Sequence, residues 1–320
     1  MTVAVAVAAA PATSSRRPAG LYIPLITPFG PDGALAEDVL ERLAHDALED
    51  GASGIVALGT TAEAATLSAG ERRRVLDVCA RVCRERGAAF VAGAGSNDTA
   101  ASAEALRELA AWPEITAALV VVPYFTRPSE DGVVAHFSRL VSESPVPLIV
   151  YNVTYRTGQQ VGHETLRRLA ALPGVVGVKQ AVGGVDADTV ALLSEPPRDF
   201  SVLAGDDAFA SALLALGAAG GILASGLVDT PVFAGLVEAW RADDVATARP
   251  LGRRAARLAA ALFAEPNPSV IKAVLHAQGR IPSPAVRLPL LPASPAATQA
   301  ALAVLGTLDA LSPSGLEVSG

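Results

Sequence analysis

Short apolar runs rich in valine and isoleucine alternate along this chain with longer stretches of helical periodicity. Brief apolar runs bounded by turn residues read as strands, and apolar positions recurring at three and four residues read as helices. The runs predict strands at Tyr22–Thr27, Gly54–Leu58, Phe90–Gly93, Ala118–Val122, Leu148–Tyr151, Val175–Lys179, Ser201–Ala204 and Gly221–Ala224. Helical patterns lie between them at Glu37–Glu49, Glu71–Arg86, Ala100–Ala111, Gly132–Ser142, Glu164–Ala171 and Phe209–Leu216. Strictly alternating units of this kind build a parallel sheet, and eight of them is the count of a (β/α)8 TIM barrel.

The pattern continues past the eighth strand. Phe233–Arg241, Asp244–Ala264 and Pro268–Gln278 read as helices, a Pro-rich stretch covers Ile281–Pro292, and a last helix is predicted near Ala296–Leu311. The expected organisation is therefore a flexible N-terminal extension over 1–19, the α/β barrel core over 20–226, and the last barrel helix with a C-terminal helical appendage over 227–312. A tail over 313–320 follows.

Length agrees with this, since a barrel takes about 250 residues and the chain has 320. The net charge of −7 and the lack of a basic stripe with interleaved aromatics exclude a broad nucleic-acid surface. No apolar run reaches the roughly 18 residues of a membrane span. Near the start, Arg16 and Arg17 follow a Val/Ala stretch, the reverse of a signal peptide, so a cytoplasmic location is expected. Cys79 and Cys83, the only cysteines, sit four apart in a helical stretch and read as buried thiols rather than a disulfide. Of 25 basic residues only Lys179 and Lys272 are lysines.

In a barrel the chemistry lies at the C-terminal ends of the strands. Those ends carry Thr27, Gly59-Thr60-Thr61, Tyr124, Tyr151, Lys179, Gly205-Asp206-Asp207 and Ser225. Lys179 ends the run Val175–Val178. Burial disfavours an ammonium and frees an amine to attack a ketone, although a lysine closing a strand can also simply pair with a carboxylate. Lys272 sits in a helical pattern and reads as a surface or interface residue. Tyr151 is placed to relay a proton, or to be a buried tyrosine satisfied by backbone. Gly59-Thr60-Thr61 offers N–H groups and hydroxyls to a carboxylate, or is an ordinary turn. Arg156, five residues after Tyr151 in an expected loop, could grip a carboxylate with two prongs, or form a surface salt bridge. His45, His136, His163 and His276 lack metal-ligand spacing. Asp206 and Asp207 could suggest a metal but read rather as a pair capping the next helix, and Gly93-Ala94-Gly95 lacks the third glycine of a dinucleotide fingerprint.

Together these segments resemble the dihydrodipicolinate synthase / N-acetylneuraminate lyase family over about Gly20 to Pro292. The resemblance rests on Pro24–Phe29, Gly59-Thr60-Thr61-Ala62-Glu63, Pro123–Pro128, Tyr151-Asn152-Val153, Arg156-Thr157-Gly158, Val178-Lys179-Gln180 and Gly205-Asp206-Asp207. Glu265–Pro268 and Arg287-Leu288-Pro289 look like the synthase branch. It implies a pyruvate Schiff base on Lys179, with no metal and no cofactor, in a homotetramer built as a dimer of dimers. Thr60 and Thr61 would hold the pyruvate carboxylate, with Thr60 also in a proton relay centred on Tyr151. Arg156 would hold a carboxylate of the aldehyde partner, and Gly205 and Ile222 would line the substrate site.

Four positions depart from the family pattern. Phe125 follows Tyr124 where the synthases carry a second tyrosine reaching into the neighbouring subunit, Ala62 replaces a glycine, Gln180 a glutamate and Thr154 a proline. The resemblance thus implies a pyruvate-dependent lyase, a 4-hydroxy-tetrahydrodipicolinate synthase or close paralogue. A 2-keto-3-deoxy sugar acid aldolase or dehydratase, and a non-catalytic barrel that binds a keto acid, remain alternatives at this stage.

Overall fold

Eight short strands pair in sequence order and close on themselves in a computed structural model that describes residues 17–310. They are β1 (Gly20–Pro24), β2 (Gly54–Ala57), β3 (Ala89–Gly93), β4 (Ile115–Val121), β5 (Leu148–Asn152), β6 (Val175–Gln180), β7 (Ser201–Ala204) and β8 (Gly220–Ile222). All pairings are parallel, and Tyr22 opposite Ile222 joins β1 to β8. A parallel strand packed on both faces cannot alternate apolar with polar residues, which is why these segments read as unbroken hydrophobic runs.

Their pleat sorts side chains into two layers. Val56, Val91, Leu119, Ile149, Leu203 and Ile222 fill the barrel interior. Ile55, Phe90, Ala118, Val150, Val178 and Val202 point outward and pack beneath the helices. Each such valine or isoleucine contributes about 1.5–3 kcal/mol by leaving water.

The surrounding helices are α1 (Glu37–Glu49), α2 (Ala69–Arg86), α3 (Thr99–Glu108), α4 (Glu130–Glu143), the single turn α5 (Thr154–Thr157), α6 (His163–Ala170), α7 (Ala187–Ser194), α8 (Ala210–Ala215) and α9 (Thr230–Arg241). Beyond them α10 (Val245–Leu262), α11 (Ser269–Ala277) and α12 (Pro295–Ala310) form the C-terminal helical region. Local chemistry sets the helix ends. Ser68 and Glu71 form a reciprocal capping box at the start of α2, and Gly87, at φ 62°, closes its other end.

The first strand stops at Pro24 rather than Thr27, and helix α7, among the described residues, lies in a stretch that carried no prediction. The expected extension over 1–19 lies outside the described residues except for 17–19, where Pro18 is already buried. The expected tail over 313–320 lies outside them entirely.

Lys272 overturns its expectation most clearly. It is not at a surface: its side chain is 0% exposed, in a helix whose first seven residues are all buried. A buried ammonium needs a partner, and it finds Glu63.

Candidate functional site

The pleat of β5 and β6 decides which side chains reach the barrel's C-terminal mouth. Tyr151 and Lys179 are register partners on adjacent strands, so both point the same way. Val178, one residue earlier, faces the helices instead. Lys179 Nζ lies 4.5 Å from the centre of the Tyr151 ring, within the range of a cation–π contact when protonated. Burial pushes the Lys179 ammonium below its ordinary pKa, against the pull of Asp207, Tyr155 and Asp206, which favour the charge. Burial likewise raises the Tyr151 phenol, offset in part by Arg156 and by a hydrogen bond with the Thr60 side chain. Tyr151 is thus held protonated, as a donor, beside an amine inclined to lose its charge.

Gly205 follows β7 because nothing larger fits. A Cβ there would stand 2.8 Å from Lys179 Cγ and 2.8 Å from the Ala181 Cβ. The missing side chain leaves the space that the lysine stem occupies. Ile222 is fully buried within the barrel-interior cluster that also contains Tyr151.

Thr60 and Thr61 open a 3₁₀ turn after β2, over Thr60–Ala62. Thr61 is buried and Thr60 exposed. Three braces hold the turn. Thr27 Oγ1 donates to the Ala62 carbonyl at 2.6 Å. Asn267 Nδ2 donates to Thr61 Oγ1 at 3.0 Å. Glu63, left-handed at φ 53°, meets Lys272 Nζ at 2.5 Å and accepts the Arg287 backbone N–H at 2.7 Å. Lys272 also donates to the Ala285 carbonyl at 2.9 Å and lies over the Phe29 ring. Burial outweighs the attraction of Glu63 and brings the Lys272 ammonium down to about 8. Sequence reasoning missed this brace, since its partners come from opposite ends of the chain.

Asp206 and Asp207 do not cap the helix that follows them. Asp206 Oδ2 accepts from the Gly183 N–H at 2.6 Å, and Asp207 Oδ2 accepts from the Ser225 N–H at 2.5 Å. They tie the β6, β7 and β8 loops together. Asp207 is buried, which raises its carboxyl to about 6. Gln180, in place of a carboxylate, uses both ends of its amide: it accepts from Asn152 at 3.0 Å and donates to Thr189 at 2.9 Å.

Arg156 lies not in a loop but on the turn α5. It is exposed, with its guanidinium 5.2 Å from the Tyr155 ring centre. Arg156, Tyr155, Asp206, Asp207 and Phe263 line a cavity of about 500 Å³. Tyr155 drew no attention in the sequence, although its position four residues after Tyr151 was a usable signal. Tyr124 and Phe125 do not line this cavity; they lie on a neighbouring loop that the Phe125 N–H ties to the Thr157 carbonyl of α5 at 3.4 Å, and the Phe125 ring is 87% exposed at φ 67°.

The histidines serve structure. His136 meets Thr99, His163 meets Asp188, His45 accepts from Arg86 and His276 meets the Ile281 carbonyl. No metal-binding group of His, Cys, Asp and Glu occurs among the described residues. Cys79 and Cys83 are free and buried, and burial raises Cys83 to about 12. A larger cavity of about 1510 Å³ opens at the opposite, N-terminal end and touches none of the predicted site residues.

Comparison with known proteins gives one family. Residues 17–307 match the sequence model of the dihydrodipicolinate synthetase family. A 4-hydroxy-tetrahydrodipicolinate synthase 2 from Clostridium acetobutylicum is 36% identical over 275 residues, covering 86% of this chain and 95% of that one. The chloride-inhibited dihydrodipicolinate synthase from Acinetobacter baumannii, solved with pyruvate, superposes with a TM-score of 0.86 at 33% identity, over 90% of this chain and 98% of that one. A monomeric dihydrodipicolinate synthase variant superposes with a TM-score of 0.88 at 29% identity, over 93% and 99%.

Proposed function

The chain belongs to the dihydrodipicolinate synthetase family, and on that premise we propose that it is a lyase joining pyruvate to an aldehyde through a Schiff base on Lys179. The reaction proposed is that of a 4-hydroxy-tetrahydrodipicolinate synthase, with aspartate semialdehyde as the second substrate. One observation carries this reading: a buried lysine of lowered pKa lies near the C-terminal end of β6 against the ring of a protonated tyrosine.

In this reading the neutral Lys179 amine attacks the C2 carbonyl of pyruvate. Tyr151 protonates the departing hydroxyl, which leaves as water, and a protonated imine remains. The Tyr151 phenolate takes a proton from C3 to give an enamine, C3 then bonds to the aldehyde carbon as the aldehyde oxygen takes that proton back, and the second substrate's amine displaces Lys179 from C2 to release the product. Thr60 supports the Tyr151 hydroxyl, and Thr60 and Thr61 receive the pyruvate carboxylate on a turn that Asn267 and Glu63 already hold still. Arg156 faces the second substrate's carboxylate across the 500 Å³ cavity, and its fork suits that group.

The same reading includes a homotetramer, for which an aromatic ring as exposed as Phe125 is the supporting feature, and a cytoplasmic location, for which two free thiols are the support. Light scattering tests the first.

A turnover assay with pyruvate and a panel of aldehydes tests the reaction. Aspartate semialdehyde should be consumed at an ordinary enzyme rate, on the order of 10 s⁻¹. Preferential turnover of a sugar-derived aldehyde would replace the second substrate, and turnover of none would remove the lyase.

A further inference from the structure

We propose that Tyr155 exchanges the proton of Tyr151 with solvent, from within the same chain, and so supplies the hydroxyl that Phe125 lacks. This inference rests on the reading of Lys179 and Tyr151 given above.

The two phenols sit four residues apart, because α5 turns back directly from the end of β5. Tyr151 is 7% exposed and Tyr155 58% exposed, so one reaches the barrel interior and the other reaches water. Arg156 lies 5.2 Å over the Tyr155 ring, and its positive charge favours a transient negative charge on the phenol. Tyr155 shares its cavity with Asp206 and Asp207. The Phe125 loop is tied to the same turn, its backbone N–H donating to the Thr157 carbonyl at 3.4 Å, yet its ring turns to solvent and carries no hydroxyl.

The electrostatics agree with this arrangement. The Tyr155 phenol is raised by burial first and then by Tyr151, and Tyr155 in turn favours the Lys179 ammonium. Burial raises both phenols. Thr60 is the other hydroxyl at Tyr151, but an aliphatic hydroxyl is a poor resting place for negative charge.

The protons balance. Tyr151 gives its proton to the departing hydroxyl, Tyr155 reprotonates Tyr151, and solvent reprotonates Tyr155. The proton taken up from solvent appears as the positive charge of the protonated imine. Removal of the C3 proton runs the same path outward.

The test needs no aldehyde. Exchange of the pyruvate methyl hydrogens in D2O, followed by proton NMR, reads imine and enamine formation together. Tyr155→Phe keeps the ring under Arg156 and should slow exchange by about ten-fold or more, while borohydride with saturating pyruvate still labels Lys179. Tyr155→His, which can pass protons, should exchange at least about three-fold faster than Tyr155→Phe; a purely structural role predicts that both are equally slow. Exchange by Tyr155→Phe within about two-fold of wild type, with Lys179 still labelled, would overturn the role of Tyr155 alone. Wild-type protein that neither exchanges nor labels would overturn the Lys179 reading and this inference with it.

Discussion

Lys272 and Glu63 stand 209 residues apart in sequence and meet as an ion pair in which neither side chain is exposed, Nζ to Oε1 2.5 Å. Through this pair the C-terminal helices hold the residue that ends the Thr60–Ala62 turn. Removing one member of such a pair leaves the other charge buried alone. Lys272→Met should therefore lower stability by about 3–5 kcal/mol in denaturant unfolding, and Lys272→Met with Glu63→Met should recover most of it. A double variant no more stable than the single one would contradict the pairing argument.

Arg287 clamps Glu71 with two nitrogens, at 2.9 and 2.5 Å, and holds its carboxyl down at about 2 against an ordinary 4.5. A depressed carboxylate contributes stability that is present above its unfolded pKa and lost as pH falls through the folded one. The pair should therefore weaken between about pH 4.5 and 2. Allowing for solvent screening, the contribution is about 1–2 kcal/mol. Glu71→Gln should flatten this part of the melting-temperature profile against pH; an unchanged profile would remove the pair from the acid response.

Arg156 is exposed at the mouth of the 500 Å³ cavity. Arg156→Lys keeps the charge and loses the fork. Its kcat/KM should fall by about ten-fold or more for aldehydes that bear a carboxylate and much less for neutral ones, the scale of one lost charge-assisted contact. Equal losses in steady-state assays would mean that Arg156 only orders its own turn and Tyr155.

Tyr151→Phe removes the hydroxyl that Thr60 contacts. Turnover should fall by about 10²–10⁴-fold, with pyruvate still trapped on Lys179, more slowly. An unchanged kcat would take Tyr151 out of the proton path.

The barrel was legible because strands buried on both faces are unbroken apolar runs, and every predicted run became a strand to within a few residues. Lys179 and Tyr151 were legible as polar residues that end such runs. What was hidden depended on partners far away in sequence. Lys272 sits in a helix with no polar face to mark it, and only Glu63 makes its burial tolerable. The carboxylates of Asp206 and Asp207 had the composition of a helix cap, but Gly183 and Ser225 on neighbouring loops offered better-placed N–H donors. Arg156 looked like a loop residue because Gly158, left-handed at φ 65°, allows only one helical turn before it.

The chain contains two lysines, both buried, so one labelling experiment separates the central claim from its rival. Protein treated with pyruvate and borohydride, then digested and weighed by mass spectrometry, should carry the reduced adduct on the peptide containing Lys179 and none on the peptide containing Lys272. Lys179→Arg should remain folded, take no label and lose turnover, since a guanidinium stays protonated and cannot attack. An adduct on Lys272, or no adduct in the wild-type protein, would contradict a Schiff base at Lys179.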